Sequence, residues 1–199
     1  MRACDPMKTI SPTVSADVAP PDLRRAFREL PLSTLAATGL GAGFAPIAPG
    51  TAGSALALAA AWLFERAVSP SHMPSVVAAV GLLTSGLVVA AAGVGISGRV
   101  AEILGRKDPG CIVIDEIAGQ LLACAVVPLF AYPSPRAAAA AWIASFLAFR
   151  LFDVWKPGPI HGWQELPGGW GIIVDDVAAG ALAAGVTAGV ALLLSARPA

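Results

Sequence analysis

Residues 76–96 read VVAAVGLLTSGLVVAAAGVGI, and no Asp, Glu, Lys or Arg occurs anywhere between Arg66 and Arg99. An α-helix needs about twenty apolar residues to cross the hydrocarbon of a bilayer, so this stretch predicts a transmembrane helix. The composition agrees. Of the 199 residues, 56% are hydrophobic and 13% charged, about half the charged fraction of an ordinary soluble domain. That leaves too little polar surface to clothe a water-soluble fold of this size. The formal net charge is zero and no basic block occurs; the electrostatic footprint of nucleic-acid binding is missing, and nucleic acid is excluded as a partner.

Working outward, residues 177–196 and 117–135 are also free of these charges and predict two more spans. Residues 137–152 are shorter and carry Arg150 near their end, so they span only if Arg150 snorkels or lines a polar cavity. Residues 35–64 are apolar but interrupted by Gly39, Gly41, Gly43, Pro46, Pro49, Gly50 and Gly53. This predicts a turn or re-entrant segment and then a helix over about 52–66; for that short piece a buried helix of a soluble all-α protein is the alternative. The expected fold class is all-α, an integral membrane bundle of about four to five apolar helices with Gly/Pro-rich re-entrant or turn segments. Residues 33–196 form the membrane-embedded domain. Residues 1–32 lack the charged-then-apolar order of a secretory signal and read as a disordered tail that turns amphipathic around 22–32.

Placing the N-terminus in the cytoplasm puts Arg24, Arg25, Arg28, Arg99, Arg106, Lys107, Arg150 and Lys156 inside and only Arg66, Arg136 and Arg197 outside, which obeys the positive-inside tendency. Trp155, Trp163 and Trp170 then fall at the inner interface, with Trp62, Tyr132 and Trp142 near the outer one.

Acidic residues are the anomaly. Asp115, Glu116, Asp153, Asp175 and Asp176 sit at or within the ends of apolar segments, where each carboxylate costs roughly 2.5–3.5 kcal/mol on insertion scales. In the topology above all five reach the cytoplasmic face. The two paired sites echo each other, IVIDEIA at 112–118 and IIVDDVA at 172–178, and Gly119 and Gly180 follow them, allowing close helix approach. Hard oxygen ligands without His or Cys suit Mg²⁺, which favours carboxylates together with substrate phosphates. Salt bridges to Arg150 and Lys156, or acids complementing helix dipoles, are the plainer reading of any one of them.

Arg150, Asp153 and Lys156 are spaced i, i+3, i+6 and share a helical face before Pro157 and Pro159 end the helix. A guanidinium fork and an ammonium can grip phosphate oxygens together. The run GAGFAPIAPGTAGS at 41–54 leads into a helix whose first amides, with the hydroxyls of Thr51 and Ser54, can meet an anion. A second glycine run, LPGGWG at 166–171, lets backbone approach a ligand closely. The three cysteines, Cys4, Cys111 and Cys124, form no metal spacing or C-x₅-R loop, and no D-x-D pair or H-E-x-x-H occurs. What remains is metal-and-carboxylate chemistry.

Together, GFAPIAPGTAGS at 43–54, IDEIAG at 114–119, FRLFDVWKPGPI at 149–160 and GWGIIVDDVAAG at 169–180 resemble the phosphatidylglycerophosphatase A family, in order, over about residues 33–195. The resemblance implies Mg²⁺-dependent hydrolysis of phosphatidylglycerophosphate to phosphatidylglycerol and phosphate at the bacterial inner membrane, in phospholipid biosynthesis. It implies Asp115, Glu116, Asp153, Asp175 and Asp176 as metal and catalytic carboxylates, and Thr51, Ser54, Arg150 and Lys156 as phosphate contacts. The competing class is a small transporter or channel using intramembrane carboxylates for cations or protons, which predicts acids spread through the depth of the membrane.

Overall fold

The computed structural model describes residues 21–69 and 74–196; Cys4, His72, Arg197 and the first twenty residues of the expected tail lie outside them. Helices run in the order α1 (Pro21–Glu29), α2 (Pro31–Ala37), α3 (Pro49–Val68), α4 (Val76–Leu104), α5 (Ile114–Cys124), α6 (Pro135–Trp155), α7 (Ile160–Trp163) and α8 (Trp170–Ser195), with 3₁₀ turns at Gly39–Phe44 and Val127–Leu129. No strand occurs among the described residues. The architecture is the all-α membrane bundle expected, with five helices (α3, α4, α5, α6, α8) in its body.

Helices α4, α6 and α8 are each long and apolar enough to cross a membrane. Their outward faces carry large apolar side chains at helical spacing, such as Ile143, Leu147, Leu151 and Val154 on α6 and Val76, Val80, Leu83 and Leu87 on α4. In water such stripes would be a liability; in hydrocarbon they face lipid tails. The starts are set locally. Ser75 and Ser134 cap α4 and α6 by accepting from Ala78 and Ala137 N–H, and Gly105 closes α4 in the left-handed conformation.

One expected span needs correcting. Residues 117–135 are not a single spanning helix: α5 begins at Ile114 and stops at Cys124, because a helix carried further would press the Pro128 ring against the Cys124 carbonyl four residues back. The chain stretches instead into the Val127–Leu129 turn, where the Pro128 carbonyl accepts from Ser75 N–H at the start of α4. Helix and turn together therefore run from one end of the bundle to the other. Most of α5 is buried, with α3, α4, α6 and α8 packed round it.

Trp142 also departs from expectation. It is buried against Ala57, Ala61 and Val127 in the core and is not part of an interfacial belt, whereas Trp62, Trp155 and Trp170 are exposed.

Packing of α5 on α8 decides where the acids go. A Cβ at Gly119 would run into the Asp176 carbonyl and the Phe149 ring, and one at Gly180 into the Gly119 backbone. The two helices thus cross backbone to backbone, both starting from the same end of the bundle. Asp115 precedes Gly119, and Asp176 precedes Gly180, by one helical turn, so the crossing sets those two carboxylates side by side. The packing register is offset by one residue from the sequence echo, which aligns Asp115 with Asp175.

Candidate metal and phosphate site

All five acids gather at one end of the bundle. Asp115 and Glu116 occupy the first turn of α5, Asp153 the last turn of α6, and Asp175 and Asp176 lie past the first turn of α8. Helix-dipole complementarity fades within the first turn, so it does not account for the α8 pair. A cleft of about 260 Å³ opens between them, its wall including Gly50, Asp108, Asp115, Glu116, Arg150, Asp153, Lys156 and Asp176. Residues 105–113, which lead into α5, form one side, and the start of α3 forms the other.

Within this cluster the carboxylates divide into two sets. One oxygen from each of Asp115, Glu116 and Asp176 lies within 4.8 Å of the others. Asp115 Oδ1 and Glu116 Oε2 are buried and accept no hydrogen bond among the described residues. Orphaned buried oxygens of one sign, gathered without a bonded cation, are costly unless something positive joins them. This donor set fits a hard divalent cation.

The other set is already hydrogen-bonded to cations, one of which also reaches Asp176. Arg150 Nη1 donates to Asp153 Oδ2 at 2.5 Å. Lys156 Nζ donates to Asp175 Oδ2 and stands 3.7 Å from Asp176 Oδ1 and 3.8 Å from Asp153 Oδ1. Burial works against the ammonium, but the carboxylates of Asp176, Asp175 and Asp153 outweigh it and hold the Lys156 pKa up at about 12. Lys156 therefore stays charged throughout the physiological range. It reaches this place because it caps α6 with φ 44°, ψ 64°, where the following proline already disfavours helix.

Of the four expected phosphate contacts, Arg150 and Lys156 line the cleft. Ser54 lies behind it, fully buried; its hydroxyl donates to the Gly50 carbonyl at 2.9 Å and accepts from Arg150 Nη1 at 3.4 Å. Thr51 is half-buried on α3 and outside the cleft wall. Asp175 likewise stands behind the wall, where Gln164 Nε2 donates to its Oδ2 at 3.1 Å. The glycines of 166–171 are absent from the wall as well; Gly169 presses on the Val94 carbonyl, so that run seats α8 against α4.

Sequence reasoning missed Asp108 on the rim, Gln164, and the part played by Gly50. Asp108 stands in the turn just before the IDE motif, a usable signal; Gln164 carries none. At Gly50 a Cβ would overlap Glu116 Oε1 and approach Arg150 Nη1. Gly50→Ala is expected to lower kcat about 100-fold by displacing Glu116, with normal amounts of protein recovered from membranes. Near wild-type kcat would show that Glu116 can shift freely.

Comparison with known proteins agrees with this geometry. Residues 35–191 match the family model described as Phosphatidylglycerophosphatase A, and every cleft-lining residue falls inside the match. The chain is 33% identical over 154 residues to Phosphatidylglycerophosphatase A of Escherichia coli (strain K12), covering 76% of this chain and 79% of that protein. It is 35% identical over 151 residues to a Bacteroides thetaiotaomicron protein named provisionally as a phosphatidylinositol-3-phosphatase, covering 75% and 87%. A 78-residue match to Phosphatidylglycerophosphatase A of Haemophilus influenzae is 40% identical, covering 38% and 43%. No solved structure matches. With most of its length matched and its acidic, arginine and lysine residues drawn to one cleft at the end of a membrane bundle, the chain belongs to the phosphatidylglycerophosphatase A family.

Proposed function

We propose that the protein removes the terminal phosphate of phosphatidylglycerophosphate, yielding phosphatidylglycerol and inorganic phosphate, in a Mg²⁺-dependent reaction at the cytoplasmic face of the bacterial inner membrane. The observation that carries this reading is the union, in one cleft, of a close carboxylate triad, two of whose members keep an unpartnered buried oxygen, with two phosphate-suited cations. A transporter or channel would distribute its acids through the bundle; the five acids here occupy one end.

Asp115, Glu116 and Asp176 would hold the ion. When bound it supplies positive charge to the phosphoryl group and to the departing alkoxide. Arg150 engages its neighbours through Nη1, leaving its other donors for phosphate oxygens, while Lys156 draws Asp153, Asp175 and Asp176 together. Ser54 and Gln164 orient Arg150 and Asp175 from behind. Acyl chains remain in the leaflet while the headgroup enters the cleft. A carboxylate then either takes a proton from water or attacks phosphorus itself. Recovery of an aspartyl-phosphate on quenching with substrate assigns direct attack; ¹⁸O from water in the released phosphate, with no such species, assigns the first route.

The deciding experiment reconstitutes the purified protein in vesicles and measures phosphate release from phosphatidylglycerophosphate and from phosphatidylinositol 3-phosphate, with Mg²⁺ or with EDTA. Release from the first lipid that EDTA stops and added Mg²⁺ restores is the expected result. Release from the second lipid alone would replace the substrate assignment, and release that survives EDTA would remove the metal.

Arg150→Lys keeps the charge but loses the planar fork. It is expected to raise KM about 10-fold with a smaller change in kcat; unchanged kinetics would take Arg150 out of phosphate binding.

A further inference from the structure

Outside the cleft, a groove of about 360 Å³ is lined by Leu23, Arg24 and Phe27 of α1 and by Phe44 at the end of the Gly39–Phe44 turn. The volume is within the usual range for small-ligand sites. Its floor is built: Leu23 and Ala26 are buried against Val100, Ala101 and Leu104, which places α1 on the end of the membrane-spanning α4 nearest the acidic cleft. The groove therefore sits at the level where hydrocarbon gives way to headgroups.

Two further features select its occupant. Arg25 is paired with Glu29 at 2.7 Å, but Arg24 and Arg28, one turn apart and exposed, form no ion pair among the described residues. Like charges at i, i+4 oppose each other, an arrangement suited to an anion lying over both. Next along the chain, Leu32 and Ile47 are 80% and 84% exposed and Leu40 is 74% exposed; these are apolar side chains that water would penalise and an interfacial lipid layer would receive. An arginine face beside exposed leucine, isoleucine and phenylalanine is the chemistry of a membrane-surface element that prefers anionic lipid.

We infer that α1 and the Gly39–Phe44 turn form a second lipid site, distinct from the catalytic cleft: an acyl chain of an anionic phospholipid lies across Leu23 and the paired rings of Phe27 and Phe44, whose centroids are 6.1 Å apart, and its phosphate is held by Arg24 and Arg28. The inference rests on the membrane placement of the bundle and not on the reaction assigned to it.

The test uses the full-length protein in phosphatidylcholine vesicles doped with a diazirine-acyl probe, either phosphatidylserine or phosphatidylcholine. Neither carries a terminal phosphate monoester, so the catalytic cleft has no claim on them. Crosslinks mapped by mass spectrometry are expected within residues 23–44, at least several-fold stronger for the serine lipid, with the preference abolished by the double variant Arg24→Glu, Arg28→Glu and retained in Arg24→Lys. Phosphate release by each variant reports that it folds, since neither arginine belongs to the cleft. Equal labelling by both probes, or a preference that survives charge reversal, would reduce the groove to ordinary annular contact and overturn the proposal. So would absence of label from 23–44, the result expected if the protein's own N-terminal residues fill the groove.

Discussion

Asp115→Asn and Asp176→Asn are each expected to lower turnover by at least about 10²–10³-fold, the scale on which a single electrostatic contact to a developing charge acts, while membrane insertion is preserved. Asparagine keeps the shape of the side chain and removes its charge. In protein stripped of divalent ions Asp115→Asn is expected to raise the midpoint of thermal unfolding, because one oxygen from each of Asp115, Glu116 and Asp176 lies within 4.8 Å of the others and the replacement relieves repulsion between buried like charges; Asp176→Asn also gives up the 3.7 Å ion pair with Lys156 and is expected to gain less. Loss of activity with a gain in stability is the signature of a site kept for function at the expense of the fold. Asp153→Asn is expected to abolish turnover without that gain, since Asp153 is already paired with Arg150. Wild-type turnover in all three variants, measured as phosphate release from lipid, would eliminate the proposed centre.

The second large effect is steric. Gly119→Leu places a side chain where the Asp176 carbonyl and the Phe149 ring now sit, and α5 must move away from α8. Overpacking a tight contact costs about 1–3 kcal/mol or more. Here it also separates Asp115 and Glu116 from Asp176, so activity is expected to vanish together with a drop in the thermal midpoint. Gly185→Ala, on the same helix α8 but with nothing within 4 Å of the added methyl, is the matched control and is expected to change neither. If Gly119→Leu retained full activity, the helix crossing would not be what assembles the triad.

Much of this was legible in the chain because the cause is local. The length of the uncharged run at 76–96 predicts a span through hydrophobicity alone, and α6 continues past Arg150 because that side chain has a polar cleft to line. The acids stood out because hydrocarbon makes them expensive. The Val127–Leu129 break also had a local cause in Pro128, but 117–135 contains no charge to reveal that α5 would end after eleven residues. Thr51 and Ser54 looked equivalent in sequence; helical rotation buries one and leaves the other off the cleft wall.

By itself, the order of residues determined the membrane character, the helical class, the family and the set of acids and bases that stand out from the apolar segments, because each depends on composition, short-range spacing or motif. Only the tertiary structure decided how that set divides, with Asp115 and Glu116 keeping unpartnered buried oxygens beside Asp176, and Asp153 and Asp175 hydrogen-bonded to Arg150 and Lys156. The physical reason is that the division depends on a backbone contact between Gly119 and Gly180 and on the left-handed cap that carries Lys156 over α8. Both join residues far apart in the chain, and neither leaves a periodic mark in it.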